Sequence, residues 1–373
     1  MLVSAVQSGP CPPAFSRTLF PVVETAFERF SAEFLTERLR AGGALPRGRV
    51  SAVHPGTCQT TILSTIVPLR LEYSTDVPPD APRRLLLKAS RGGLEVSLKS
   101  VGEREVMFYR QIAPLMPDGP FVRCYDAMFS EGEFHLLLDD LSETHTILTQ
   151  WPLPPSVEAC QQIIDTWATF HAFWWRHPRL GRDVGMFADD AAIAKNAAEV
   201  RERYARFAET LGDRLWPRAR EIYTRVLDAY ERLYTPARLY ATYTLVHGDA
   251  HVWNLLYPRD GVATGIRLID WDGWRIGRAV SDLAYMMAVH WYPERRARLE
   301  ARLLGRYHAA LCALGVADYT LDRLHEDYRL VVIGHLTTPV WQQTSGLHAS
   351  IWWPHLFRIV TAFDDLDCAA LLS

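Results

Sequence analysis

Apolar residues keep two different rhythms along this 373-residue chain, and the switch between them constrains the fold more than any other feature. In the first third the pattern is strand-like. Val50 to Tyr73 passes a polar turn at His54-Pro55-Gly56-Thr57 and then becomes rich in β-branched residues. After a turn at Pro78-Pro79-Asp80, Arg84 to Lys88 reads as a buried strand ending in a lysine, and Phe121 to Phe129 and Glu133 to Asp139 as two more. Two stretches depart from this pattern. Val22 to Leu39, closed by Gly42-Gly43, reads as an amphipathic leading helix, and Glu103 to Ile112 spaces Val106, Phe108, Tyr109 and Ile112 as a helix does. Beyond Trp151-Pro152 helical spacing takes over in Pro155 to Trp175, Asp190 to Leu211 and Trp216 to Leu233. A short β-like island, Leu245 to Ile269, precedes further helices. The class expected is α+β, with a small β-rich N-lobe, a larger helical C-lobe and a cleft between them. The segments expected are an N-terminal helical extension over 1–47, a first lobe over 48–139 and a second over 140–373.

Composition excludes several functions. A net charge of −3 gives no reason to expect nucleic-acid binding. No run of 18 apolar residues predicts a membrane span, and Met1 to Pro13 lacks the pattern of a secretory signal. The six cysteines lie far apart with no CxxC pair, as expected of thiols in a reducing cytoplasm. The oligomeric state is not legible.

The chemistry concentrates in Thr244 to Tyr257 and Ile266 to Asp272. An apolar strand runs into a polar loop carrying His247, Gly248, Asp249 and Asn254, and a second apolar strand ends in Asp270. Phosphoryl transfer needs such a set: one carboxylate to accept a hydroxyl proton, with an amide oxygen and a second carboxylate for Mg²⁺.

On these residues the sequence resembles the aminoglycoside phosphotransferase and choline kinase superfamily, and within it the ecdysteroid-kinase-like branch. His247-Gly248-Asp249 with Asn254 five positions after the aspartate, Asp270-Trp271, and Asp282-Leu283-Ala284 carry the resemblance, which extends over roughly residues 48 to 290. It implies a protein-kinase-like two-lobed fold and an ATP- or GTP-dependent, Mg²⁺-requiring kinase acting on a hydroxyl of a small molecule. Asp249 would be the catalytic base, Asn254 and Asp270 the metal ligands, Asp282 a brace for the loop and His247 a packing residue. Upstream, Lys88 resembles the lysine that contacts the α- and β-phosphates, and Glu105 its helix partner, with Glu103 a competitor. Leu138-Asp139-Asp140-Leu141 resembles the hinge that holds adenine, giving Asp139 and Leu141 as binding positions. The phosphate-covering turn would be 54–61, where Thr57 and Thr60 offer hydroxyls but Gly56 is the one glycine. A protein substrate is not expected, since no Asp-Phe-Gly or Ala-Pro-Glu frames an activation segment.

Other readings use the same residues. A lone Asp249 is an ordinary turn or cap residue, and a strand-ending lysine an ordinary edge residue. His247, Asp249 and His251 alternate, so on a strand they would face one way as zinc ligands of a hydrolase. A non-catalytic nucleotide-binding protein is the third reading. The histidines and aromatics of the tail, among them His290, His335 and His355, are expected in the helical core. Glu326, Asp327, Asp364, Asp365 and Asp367 leave a polycationic acceptor open.

Overall fold

The computed structural model describes residues 30–61, 64–90, 101–147 and 154–372. It divides into two compact units: Met1–Thr146 with Pro258–Ala263 and Arg267–Asp272, and Ile147–Tyr257 with Thr264–Ile266 and Gly273–Ser373. The α+β class expected from the change of rhythm is the class observed. The first unit is built on an antiparallel sheet and the second is mainly helical.

In the first unit, helix α1 (Ala32–Ala41) starts where Ser31 Oγ accepts the Phe34 N–H at 3.2 Å, an N-cap that satisfies one of the helix's free donors. The part of the expected leading helix before residue 30 lies outside the described residues. Strands β1 (Val50–Pro55), β2 (Gln59–Thr60), β3 (Ser64–Tyr73), β4 (Arg84–Ser90), β5 (Cys124–Ser130) and β6 (Glu133–Asp139) form a sheet in the order β1-β3-β4-β6-β5, with β2 on β3. Alternation decides which side chains build its core. Val67, Leu69 and Leu71 on β3 and Leu85 and Leu87 on β4 join Leu35 and Leu39 of α1 in one buried cluster. The residue after Leu87 therefore points to the other face, and that residue is Lys88. The strand does not end there; β4 continues to Ser90, with Lys88 paired to Ile66 and Leu136. Helix α2 (Val101–Met107) packs on β5 and β6 and runs on as a wider turn, Phe108–Ile112.

The second unit contains α3 (Val157–Trp174), α4 (Asp190–Leu211) and α5 (Pro217–Leu233), then a two-stranded ladder of β7 (Thr244–Val246) and β8 (Arg275–Gly277). Helices α6 (Val280–Ala284), α7 (Pro293–Ala313), α8 (Leu321–His335), α9 (Thr337–Thr344) and α10 (Ala349–Asp365) follow. Among the described residues no helix is long and apolar enough to cross a membrane, and Cys58, Cys124, Cys160, Cys312 and Cys368 are free thiols.

Candidate active site

Two polar constellations stand out, one in each unit. In the sheet unit, Lys88 Nζ lies 2.6 Å from Glu105 Oε2 and 2.7 Å from Asp270 Oδ1. Its side chain is 15% exposed and that of Glu105 2%. Burial by itself would discharge the ammonium, but the Asp270 and Glu105 carboxylates outweigh it and hold the lysine above its ordinary pKa. Burial likewise drives the Glu105 carboxyl up, and Lys88 pulls it only part of the way back. The lysine is thus held charged between two carboxyl groups. Of the two candidate glutamates, Glu103 is exposed and Glu105 meets Lys88.

The turn that presents Asp270 departs from a simple strand end. The short strand Arg267–Leu268 stops two residues earlier, and Asp270 adopts the left-handed region at φ 68°, uncommon for a residue with a side chain. Trp271 anchors this turn. Its indole N–H donates to the Leu268 carbonyl at 3.3 Å, and its ring stacks on Phe108 with centroids 3.8 Å apart and planes 5° from parallel. Phe108 directly follows α2, so one aromatic stack ties the Glu105 helix to the Asp270 turn. Phe108 reads from spacing as an ordinary core residue, and nothing local announces this partner.

In the helical unit, β7 leads into a tight loop. Gly248 sits at φ 84°, and a Cβ there would lie 2.2 Å from the Gly273 carbonyl oxygen and 2.3 Å from an Arg275 nitrogen. Only glycine combines that conformation with that clearance. Asp282 on α6 holds the loop from beneath: Oδ1 accepts the Gly248 N–H at 2.9 Å, and Oδ2 accepts the His247 N–H at 2.8 Å. His171 on α3 donates from Nε2 to Oδ2 at 3.1 Å, and its Nδ1 pairs with the Tyr307 hydroxyl at 2.8 Å. Burial alone would raise the Asp282 pKa, but the hydrogen bond and charge of His171, with His247 and the Gly248 N–H, hold it below the usual carboxylate range. His171 has no signal in the sequence beyond being a histidine on the buried face of an amphipathic helix.

Above this brace lies Asp249, 4% exposed. Asn254 donates from Nδ2 to the Asp249 backbone carbonyl at 3.0 Å and to Oδ2 at 3.2 Å. Two acceptors facing Nδ2 fix the amide's orientation and turn its oxygen the other way. Oδ1 of Asp249 has no hydrogen-bond partner among the described residues. The loop therefore presents one carboxylate oxygen and one amide oxygen. Oxygens of both kinds are hard donors.

That geometry corrects the zinc reading of His247, Asp249 and His251. The segment is a turn followed by a 3₁₀ helix at Val252–Asn254, so the three side chains do not alternate on a strand. His247 Nδ1 instead accepts the Asp249 N–H at 3.2 Å, and its ring meets Trp167 edge-on. Among the described residues no three His, Cys, Asp or Glu side chains converge to hold a metal.

Thr57 is exposed in the short connection between β1 and β2, both of which pair with β3, and the Gly56 N–H there donates to Pro68 O at 2.7 Å. At the end of β6 the Asp139 N–H donates to Arg123 O at 2.9 Å. The Leu141 carbonyl accepts from Thr144 and His145 at 3.0 and 2.8 Å, while the Leu141 N–H has no partner among the described residues. The tail carboxylates are spent on arginines. Asp327 meets Arg278 and Arg323, Glu326 meets Arg323, and Asp364, Asp365 and Asp367 meet Arg218, Arg296 and Arg329.

With the two constellations defined, comparison with known proteins gives the chain its relatives. Among proteins of curated function none matches the sequence. The solved structures it is similar to include the GDP complex of an aminoglycoside 2′-phosphotransferase-IIIa mutant, with 13% identity and a TM-score of 0.48, covering 91% of this chain and 98% of that one. An aminoglycoside-3′-phosphotransferase of type VIII follows with 18% identity and a TM-score of 0.42, covering 80% and 97%. A microcompartment-associated aminopropanol kinase has 12% identity and a TM-score of 0.40, covering 88% and 95%. A family model, described as ecdysteroid kinase-like, matches residues 63–315, more than half of the chain. That span contains Lys88, Glu105, Asp249, Asn254, Asp270 and Asp282, and the chain belongs to the ecdysteroid kinase-like family.

Proposed function

We propose that this protein is a phosphotransferase that moves the γ-phosphate of ATP to a hydroxyl group of a small molecule. The observation that carries the reading is the asymmetry of Asp249: Oδ2 is engaged by Asn254 while Oδ1 is left to accept a proton. A carboxylate anchored on one oxygen is suited to orient an attacking hydroxyl and take up its hydrogen. Lys88, held charged between Glu105 and Asp270, would contact the nucleotide phosphates. Asn254 and Asp270 would hold Mg²⁺, which when bound neutralises charge on the phosphate oxygens. The Leu141 N–H is available as a donor to an adenine edge, whereas the Asp139 N–H is already engaged.

The acceptor in this reading is a neutral alcohol. A polycationic acceptor needs unneutralised carboxylates, and the five in the tail already face arginines. The test is a panel of hydroxyl compounds, neutral and cationic, screened for acceptor-stimulated ADP release by the wild type and Asp249→Asn. Stimulation of the wild type alone by neutral members is the expected result. Equal stimulation of both proteins would remove Asp249 from the reaction, and stimulation by cationic members alone would overturn the acceptor class.

A further inference from the structure

The sheet unit holds a cavity of about 540 Å³ that the reading above does not use. It is bounded by α1, by the wider turn Phe108–Ile112 and by strands β5 and β6. Strand β5 is the edge of the sheet, and its pairing with β6 slips between Cys124 and Asp126. Such a bulge breaks the alternation of side chains, and Cys124, Tyr125 and Asp126 all line the same cavity. On α1, Phe34 and Arg38 stand four residues apart on one face, with the Arg38 guanidinium 5.4 Å over the Phe34 ring.

The polar groups around this cavity are unequally engaged. Asp126 Oδ2 pairs with His135 Nε2 at 2.6 Å. Arg38 Nη1 lies 3.9 Å from Asp126 Oδ1 and Nη2 lies 3.8 Å from Glu37 Oε2, both too long for hydrogen bonds. Arg38 Nε is buried and has no partner among the described residues. Arg110 is exposed, and its guanidinium meets no carboxylate among the described residues. Tyr109 is 5% exposed, and its hydroxyl too is buried without a partner among them. Unmet buried donors are rare in folded chains, and here two belong to side chains that line one cavity. Two arginines against one carboxylate leave the lining with positive charge in excess, which a single negative charge balances. Guanidinium groups bind carboxylates through paired N–H donors, and the volume is that of a site for a small organic molecule.

We propose that this cavity binds a small organic monocarboxylate: Arg38 and Arg110 supply the counter-charge, Tyr109 donates its hydroxyl hydrogen, and Phe34 and Met128 cover the apolar body. Tyr109 stands four residues after Glu105 and directly follows Phe108, whose ring stacks on Trp271. An occupant therefore steadies the segment that brings Glu105 to Lys88. The inference goes beyond the phosphotransferase reading, and its test needs no turnover. The probe is 1-naphthoate, titrated into the full chain at low salt and followed by ligand-observed NMR, with 1-naphthalenemethanol as its neutral counterpart. The expected Kd for naphthoate is about 1 mM or tighter, with the alcohol about tenfold weaker. Arg110→Gln and Tyr109→Phe remove no paired group, so both variants keep the fold, and each should weaken naphthoate about two- to tenfold. Hydrogen exchange locates the site: saturating naphthoate should slow exchange over 105–112 and 124–128. Equal affinity for the alcohol, wild-type affinity in both variants, or protection confined to other segments overturns the proposal. So does the lack of saturable binding up to about 10 mM naphthoate.

Discussion

Replacing Asp282 by asparagine keeps the size of the side chain while changing what three buried donors meet. Oδ1 receives the Gly248 N–H, and Oδ2 receives the His247 N–H and His171 Nε2, all within 3.1 Å. An asparagine has one oxygen, so its NH₂ group must face at least one of these donors, N–H against N–H. Hydrogen bonds to a charged group contribute about 1.5–3 kcal/mol each, and breaking a buried charged pair costs about 3–5 kcal/mol. Since asparagine saves part of the set, we expect a loss of about 3–5 kcal/mol in the helical unit. The assay is urea unfolding followed by tryptophan fluorescence, because Trp167 stacks on His171 and contacts His247, together with circular dichroism to reveal separate transitions. The effect should also depend on pH. The Asp282 pKa is depressed on folding, so its contribution is complete above the ordinary carboxylate value of about 4 and is lost as pH falls through the depressed value. The gap between wild type and variant should therefore narrow on acidification below that point. A loss under about 1 kcal/mol at neutral pH, or a gap that widens in acid, would refute the account of Asp282 as the charged brace of the loop.

Further consequences can be checked separately. Asp249→Asn should lower phosphate transfer by about 10²–10⁴-fold with ATP affinity by calorimetry little changed, as for loss of a general base. Lys88→Ala strands the buried Glu105 carboxylate and should destabilise the sheet unit by about 3–5 kcal/mol, and adding Glu105→Gln should recover much of it in thermal melts. Asn254→Ala should raise the Mg²⁺ concentration for half-maximal ADP release about tenfold or more, while chelation of Mg²⁺ should abolish release by the wild type. Gly248→Ala should unfold at lower urea, by about 1–3 kcal/mol or more, because its Cβ meets the Gly273 carbonyl at 2.2 Å.

Much of the local structure was legible because it is written in short-range patterns. The short apolar run Glu133 to Asp139 is β6, and the helical run Asp190 to Leu211 is α4, residue for residue. Other local readings shifted. The expected β5 begins at Cys124 rather than Phe121, and Phe121 instead makes a parallel bridge to Leu268, a distant residue no window on the sequence includes. The polar loop expected after the apolar strand is the one observed: Gly248 in the left-handed region turns the chain, so His247, Asp249 and His251 do not alternate as the zinc reading required.

The site divides in the same way. Taken alone, the sequence determined which residue types stand at which spacings: the lysine in an apolar strand, the His-Gly-Asp loop with its asparagine, the aspartate before a tryptophan. These follow from composition and order along a few residues. Only tertiary structure decided that Glu105 rather than Glu103 meets Lys88, that Asp270, 182 positions away, shares that lysine, and that His171 and Asp282 carry the loop from helices far apart in the chain. Such pairings depend on which faces of strands and helices are buried together, and burial is a property of the packed chain that no local spacing encodes.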